Sequence, residues 1–118
     1  MTTLHSVPRS EWKSVFDRMS KALLGKWAEI EVASLDLGDQ IVAEWVPLLG
    51  ITYDSKGDLV DVALDRFNHV IRRPREITVD ESLAGLGTVA ILDEDGARQV
   101  VRFKDPLMLP PATSLGNA

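Results

Sequence analysis

Between Pro8 and Leu24 the apolar residues Trp12, Val15, Phe16, Met19, Ala22 and Leu23 fall at i, i+3, i+4, i+7, i+10 and i+11. That spacing is one stripe of an amphipathic helix, with Lys13, Ser14, Asp17, Arg18 and Lys21 on the opposite face. Pro8 suits the first turn, Ser10 is a candidate N-cap, and Gly25 supplies a C-terminal stop. The pattern predicts a helix over residues 8–24, preceded by a flexible terminus over residues 1–7.

After Gly25 the period shortens to two. Ala28, Ile30 and Val32 alternate with Glu29 and Glu31, and DLGDQ then supplies a turn before IVAEWVPL. Pro47 cannot donate to a ladder, so this second strand lies at an edge or bends there. LLGITYD and LVDVAL flank Asp54-Ser55-Lys56-Gly57-Asp58, a hairpin loop, and Val60, Val62 and Leu64 share one face. Further strands are expected at HVI, EITVD, TVAILD and RQVVRFK, the last two joined around Glu94-Asp95-Gly96-Ala97. About seven or eight short strands over residues 27–104 behind one helix predict an α+β, mainly β fold. The expected form is a helix packed on a bent antiparallel sheet or small barrel resembling an Sm- or SH3-like roll, with a β-sandwich as the alternative. Residues 8–104 form one domain in this view. The Pro-rich segment 105–118 is then an arm that docks or a tail, and Leu107, Met108 and Leu109 are its apolar anchors.

Composition narrows the classes. The chain has 118 residues, 45% of them hydrophobic and 26% charged, which suits one globular domain with a real core. It has no cysteine, which excludes disulfides, thiolate metal sites and a cysteine nucleophile. The most apolar run, WVPLLGI, is broken by Pro47 and Gly50, and MTTLHSVPRSEW lacks the basic-then-apolar order of a signal peptide. A cytoplasmic protein with no membrane partner is expected. A net charge of −5 makes nucleic acid an unfavoured partner, because that binding draws on cations displacing counterions from phosphate.

Against that acidic background, DRFNHVIRRPREI at residues 65–77 carries four arginines and one of the two histidines. His69 is the one candidate there for acid–base work. It shares parity with Phe67 and Ile71, however, which directs it toward the core and away from a surface nucleophile. Arg72, Arg73 and Arg75 offer guanidinium forks for a carboxylate or phosphate. Pro74 keeps Arg73 out of the helical region, and alternation must break between Ile71 and Ile77, so the same residues also describe a bend with exposed, ion-paired arginines. The histidine and the arginines are expected to point different ways.

Other motifs are weaker. The acidic loops at Asp54–Asp58 and Asp93–Asp95 lack the ligand spacing of a calcium loop and read as hairpin turns, and no metal or cofactor is expected. Trp12 and Trp45 are expected in the core on their parity. Trp27, whose parity mates are Glu29 and Glu31, is the exposed tryptophan and an interface candidate.

The helix SEWKSVFDRMSK, the run WAEIEVASLDLGDQIVAEWVPLLGITYDSKGDLVDVAL, the segment DRFNHVIRRPREITVDE and the hairpin DEDGARQVVRFKDP together resemble the bacterial domain-of-unknown-function family 5335, over about residues 8–109. The specific elements are P-L-x-G-I-x-Y-D at 47–54, H-x-I-x-x-P at 69–74 and the D-x-D-G turn. The resemblance implies a stand-alone bacterial cytosolic protein and assigns no activity, cofactor or site residue. With catalytic motifs missing, the expectation is a small non-enzymatic binding or protein-interaction module, forming a homo-oligomer or binding a protein partner. The alternative is an anion- or small-molecule-binding protein, or a hydrolase, using His69 with Asp65 and Arg72, Arg73 and Arg75.

Overall fold

The computed structural model describes residues 3–81 and 87–105. Strand β1 (Thr3–Ser6) leads through a 3-10 turn (Arg9–Glu11) into helix α1 (Trp12–Ala22). Seven more strands complete the chain order: β2 (Trp27–Ser34), β3 (Gly38–Asp54), β4 (Leu59–Leu64), β5 (Asn68–Arg72), β6 (Pro74–Glu81), β7 (Gly87–Asp93) and β8 (Arg98–Lys104). All pair antiparallel in the order β1-β6-β7-β8-β2-β3-β4-β5. The fold is therefore α+β and mainly β. The strand order is linear, and no pairing joins β1 to β5 among the described residues.

Two expectations near the N-terminus are corrected. Thr3–Ser6 form an edge strand on β6, with Val7 N–H donating to the Ile77 carbonyl at 2.8 Å. The terminus is thus held by backbone pairing that its composition does not announce. The α-helix is also shorter than 8–24. Its first turn is 3-10, Pro8 precedes that turn, and Ser10 caps nothing. The start is fixed instead by the Trp12 indole, whose Nε1–H donates to the Val7 carbonyl at 2.8 Å. Trp12, Phe16 and Leu23 are buried with Val15 and Met19 packed beside them, while Ala22 faces solvent.

The expected strands at 41–48 and 48–54 are one element. β3 runs for 17 residues and changes partner along its length, pairing with β2 up to Pro47 and with β4 from Leu48. Pro47 marks this bend: the Leu48 N–H donates to the Lys26 carbonyl at 2.9 Å, and the Pro47 carbonyl accepts from Asp65 N–H at 3.1 Å. Helix α1 is pinned to the second half, where Ser20 Oγ donates to the Ile51 carbonyl at 2.6 Å and accepts from the Ile51 N–H at 2.9 Å.

The sheet curls strongly. β5 and β8 are four steps apart, roughly 19 Å in a flat sheet at about 4.8 Å per step. Yet His69 on β5 and Gln99 on β8 touch at 2.6 Å. The concave face encloses a single apolar cluster that draws on every strand from β2 to β8 and on α1, including Phe16, Ile30, Ile51, Val62, Ile71, Ile77, Val89 and Val101. No helix among the described residues is long and apolar enough to cross a membrane.

Candidate functional site

The candidate residues of the 65–77 segment go to three different places. His69 points into the curl, as its parity with buried Ile71 requires. Its Nε2 meets Gln99 Oε1 at 2.6 Å, Gln99 Nε2–H donates to Asp93 Oδ2 at 3.0 Å, and both Gln99 and Asp93 are buried. Asp93 is in turn fixed by the turn it closes, accepting from Asp95 N–H at 2.9 Å and Ala97 N–H at 3.0 Å. Because Gln99 spends its amide N–H on a carboxylate, its oxygen faces His69, which therefore carries the proton on Nε2. This chain of polar side chains ties β5 to the β7–β8 hairpin. Its bonds are structural, and no serine, threonine or lysine takes part in them.

The arginines sit on the outer side of the bend. Arg73 adopts φ +51, and its N–H donates to the Asp58 carbonyl at 2.8 Å, which turns β5 into β6. Arg73 and Arg75, with Arg9, Asp58, Pro74 and Glu94, line an open cavity of about 420 Å³. Arg9 is the member that inspection of the 65–77 segment misses. It lies 65 positions from Pro74, whose carbonyl accepts from Arg9 Nη2 at 3.0 Å. Arg9 Nη1 also donates to Tyr53 Oη and Asp58 Oδ1, each at 3.1 Å, and its guanidinium stacks 4.3 Å from the centre of the Trp12 ring. Tyr53 Oη–H donates to Asp58 Oδ1 at 2.8 Å. Donation from the Tyr53 hydroxyl, aided by Arg9 and opposed by burial, holds the Asp58 carboxyl below its ordinary range. Burial, and then the Asp58 carboxylate it bonds to, pushes the Tyr53 phenol up. Arg73 pairs with Glu94 at 2.9 Å, whereas Arg75 makes no ion pair among the described residues. Arg72 is exposed on β5 and is not part of the cavity wall.

Asp65 belongs to a third place, an apolar groove of about 280 Å³ lined by Trp27, Trp45, Val46, Pro47, Asp65, Arg66 and Phe67. Here parity misleads for two residues. Phe67, expected inward with His69, lies in the β4–β5 turn and is 43% exposed. Trp45, expected in the core with Ala43, is half-buried, because β3 carries a bulge where Glu44 and Trp45 together oppose Glu29. Trp45 takes φ +47 in that bulge, a conformation a bulky side chain adopts at a cost of about 1–3 kcal/mol. One extra residue turns the ring out of the alternation and onto the groove, where Lys104 Nζ stands 4.7 Å from its centre. Trp27, the interface candidate, is half-buried and also lines the groove. The apolar candidates Leu107, Met108 and Leu109 lie outside the described residues. Among the described residues no cluster of three acidic or histidine side chains is placed to hold a metal ion.

A family model described as a family of unknown function, DUF5335, matches residues 3–112. An uncharacterized protein of Aquifex aeolicus (strain VF5) is 34% identical over 106 residues, which cover 89% of this chain and 96% of that protein. No solved structure matches the chain.

Proposed function

The chain belongs to the DUF5335 family of unknown function, and from that premise we propose that it is a non-enzymatic module that binds an extended apolar peptide segment of a protein partner in the bacterial cytosol. The observation that carries this is Trp45. A bulge and a left-handed backbone angle place its ring in a groove together with Trp27, Pro47 and Phe67, contributed by three separate stretches of chain. Strain of that kind persists where the surrounding structure and the use of the site demand it. Aromatic walls beside a proline suit an unfolded, proline-containing segment, which stacks on ring faces without needing its own hydrogen bonds. At about 280 Å³ the groove holds a few side chains. Asp65 and Arg66 at its rim give it both signs of charge with which to orient a peptide. For the curled sheet that carries it we propose the architecture of an Sm- or SH3-like roll.

Selection from a random-peptide display library tests the reading. Peptides pairing proline with aliphatic residues are expected to enrich on the wild-type protein and to be lost on Trp45→Ala and on Phe67→Ser, the latter a turn substitution that leaves the core intact. If no family of peptides enriches, or if enrichment survives both substitutions, the reading fails.

A second reading is favoured by Arg75, which brings a guanidinium with no ion pair among the described residues to a cavity that already holds Arg9 and Arg73. Three forks against Asp58 and Glu94 leave one positive charge in excess, suited to a carboxylate or phosphate group. No hydrolytic step is attached to it. His69, the base such a step would use, is bonded to Gln99 inside the curl.

A further inference from the structure

Two strand edges have no ladder partner among the described residues. One is the outer side of β5, and the other is the first half of β3, which pairs with β2 on one side and meets β4 only from Leu48 onward. These edges carry opposite charge. On β3, Ile41 stands opposite Glu31 and Asp39 opposite Ala33, which puts both on the outer face, away from buried Ala28 and Ile30. On β5, Val70 and Arg72 lie on the outer face, since Ile71 between them is buried. Asp39 and Arg72 are exposed, and neither makes an ion pair among the described residues. Ile41 is 48% exposed and Val70 37%, so each edge also shows an apolar side chain to water two positions from its charge.

We propose that the β3 edge of one copy pairs antiparallel with the β5 edge of a second copy, so that the chain assembles head to tail through its own sheet. Side chains set the register. With Asp39 opposite Arg72, Gln40 falls opposite Ile71 and Ile41 opposite Val70, so the charge pair and the apolar pair form together on the same outer face. Cross-strand neighbours of both kinds stabilise an antiparallel ladder. Pairing also satisfies backbone N–H and C=O groups that an open edge leaves to water, which is how exposed strands recruit another strand. The occupant is a second copy because the β3 edge is acidic and the chain's own β5 carries the matching cation. Two β3 edges would instead bring Asp39 and Glu44 of both copies together with no cation between them, and β1, with the sequence TLHS, has no lysine or arginine to offer. The register shift after Ile41 and the left-handed angle at Arg73 keep the ladder to a few residue pairs, which makes association weak and reversible. Because the two patches differ, successive copies close into a ring where the rotation allows and otherwise extend as a fibre. Pairing stops short of Trp45 and is independent of the peptide groove.

Sedimentation velocity of the full-length chain tests the pairing. The wild type is expected to be monomeric at about 1 μM and to form larger species as its concentration rises toward about 1 mM, the range of a small reversible interface. Asp39→Arg sets like charges opposite one another, as does Arg72→Asp, and each variant alone is expected to self-associate at least about tenfold more weakly than the wild type. Mixed in equal amounts, the two variants are expected to recover wild-type association, because each then supplies the charge that the other's edge needs. A chain carrying both substitutions is expected to associate on its own, which also shows that neither change prevents folding. A wild type that stays monomeric at about 1 mM overturns the proposal. So does association that survives both single substitutions, or a mixture and a double variant that remain as monomeric as the single variants. A dimer that is lost with Asp39→Arg but survives Arg72→Asp would put two β3 edges together, and it equally overturns the head-to-tail pairing.

Discussion

Gln99 on β8 accepts a hydrogen bond from His69 on β5 across the interior of the curled sheet, at 2.6 Å. Among the described residues β5 pairs only with β4, so the far edge of the sheet is held by one ladder, by Ile71 in the core and by this contact. Gln99→Leu removes it and leaves the half-buried His69 Nε2–H and the buried Asp93 Oδ2 without their bonds. An unsatisfied buried polar group costs about 1–3 kcal/mol, which for a domain of this size lowers Tm by roughly 5–10 °C. Hydrogen exchange of the β5 amides is expected to accelerate before that of β7. A variant with unchanged Tm and unchanged β5 protection would show that the apolar cluster alone holds the edge.

Tyr53 and Asp58 make stability depend on pH at both ends. The Asp58 pKa is lowered in the fold, so its contribution is present above the unfolded value of about 3.9 and is lost as pH falls through the lower folded value. The Tyr53 pKa is raised, so its contribution is complete below the unfolded value of about 10 and is lost as pH climbs through the higher folded value. Tyr53→Phe removes the donor that contributes most to the Asp58 shift. Urea unfolding at a series of pH values is expected to show a shallower loss of stability in both arms. Unchanged slopes relative to wild type would contradict the linkage.

Arg73→Ala and Arg75→Ala separate the second reading from a purely structural bend. Arg75 has no ion pair among the described residues, so Arg75→Ala is expected to leave Tm within about 1 °C in low-salt buffer. If the cavity takes anions, inorganic phosphate stabilises the wild type through mass action, and Arg75→Ala loses most of that increment. Phosphate titration with differential scanning calorimetry reads it directly. An equal phosphate increment in both proteins assigns the arginines to the bend alone.

The architecture was legible where one principle acted alone. The stripe of Trp12, Phe16 and Leu23, the alternation of Ala28 with Ile30, and Val60 with Val62 and Leu64 each report one buried face, and each lies buried. The family resemblance likewise rested on fixed spacing, and the family model matches residues 3–112. Legibility failed where backbone geometry overrode period. The bulge at Glu44–Trp45 shifts parity within one strand, and nothing in IVAEWVPL marks it, since no glycine stands at the left-handed position. Strand β1 is illegible because TLHS carries no apolar alternation, and its pairing with β6 is set by residues 78–81. Arg9 is hidden for a related reason. Its place beside Pro74 depends on how the 3-10 turn packs against Tyr53, a relationship across 44 positions that no local window contains.

The conformation of Trp45 yields the sharpest check on the groove. Inside an ordinary strand, glycine is less stable than alanine by roughly 0.5–1 kcal/mol, because its backbone loses more freedom on folding. At φ +47 the order reverses, since a Cβ in the left-handed region costs about 1–2 kcal/mol and glycine carries none. Trp45→Gly is therefore expected to be more stable than Trp45→Ala by about 1 kcal/mol, with Trp45→Val the least stable of the three because β-branching adds to the clash. All three lose the ring, so they are expected to lose peptide binding to the same extent whatever their stability. Chemical denaturation of the three variants, with a common m-value to confirm that the unfolding reaction is unchanged, measures the order. The ordinary ranking, with alanine above glycine, would mean that the bulge relaxes once the indole is gone. The ring would then hold the backbone in its strained state, and the groove would be shaped by tryptophan packing, with the β2–β3 register set by it.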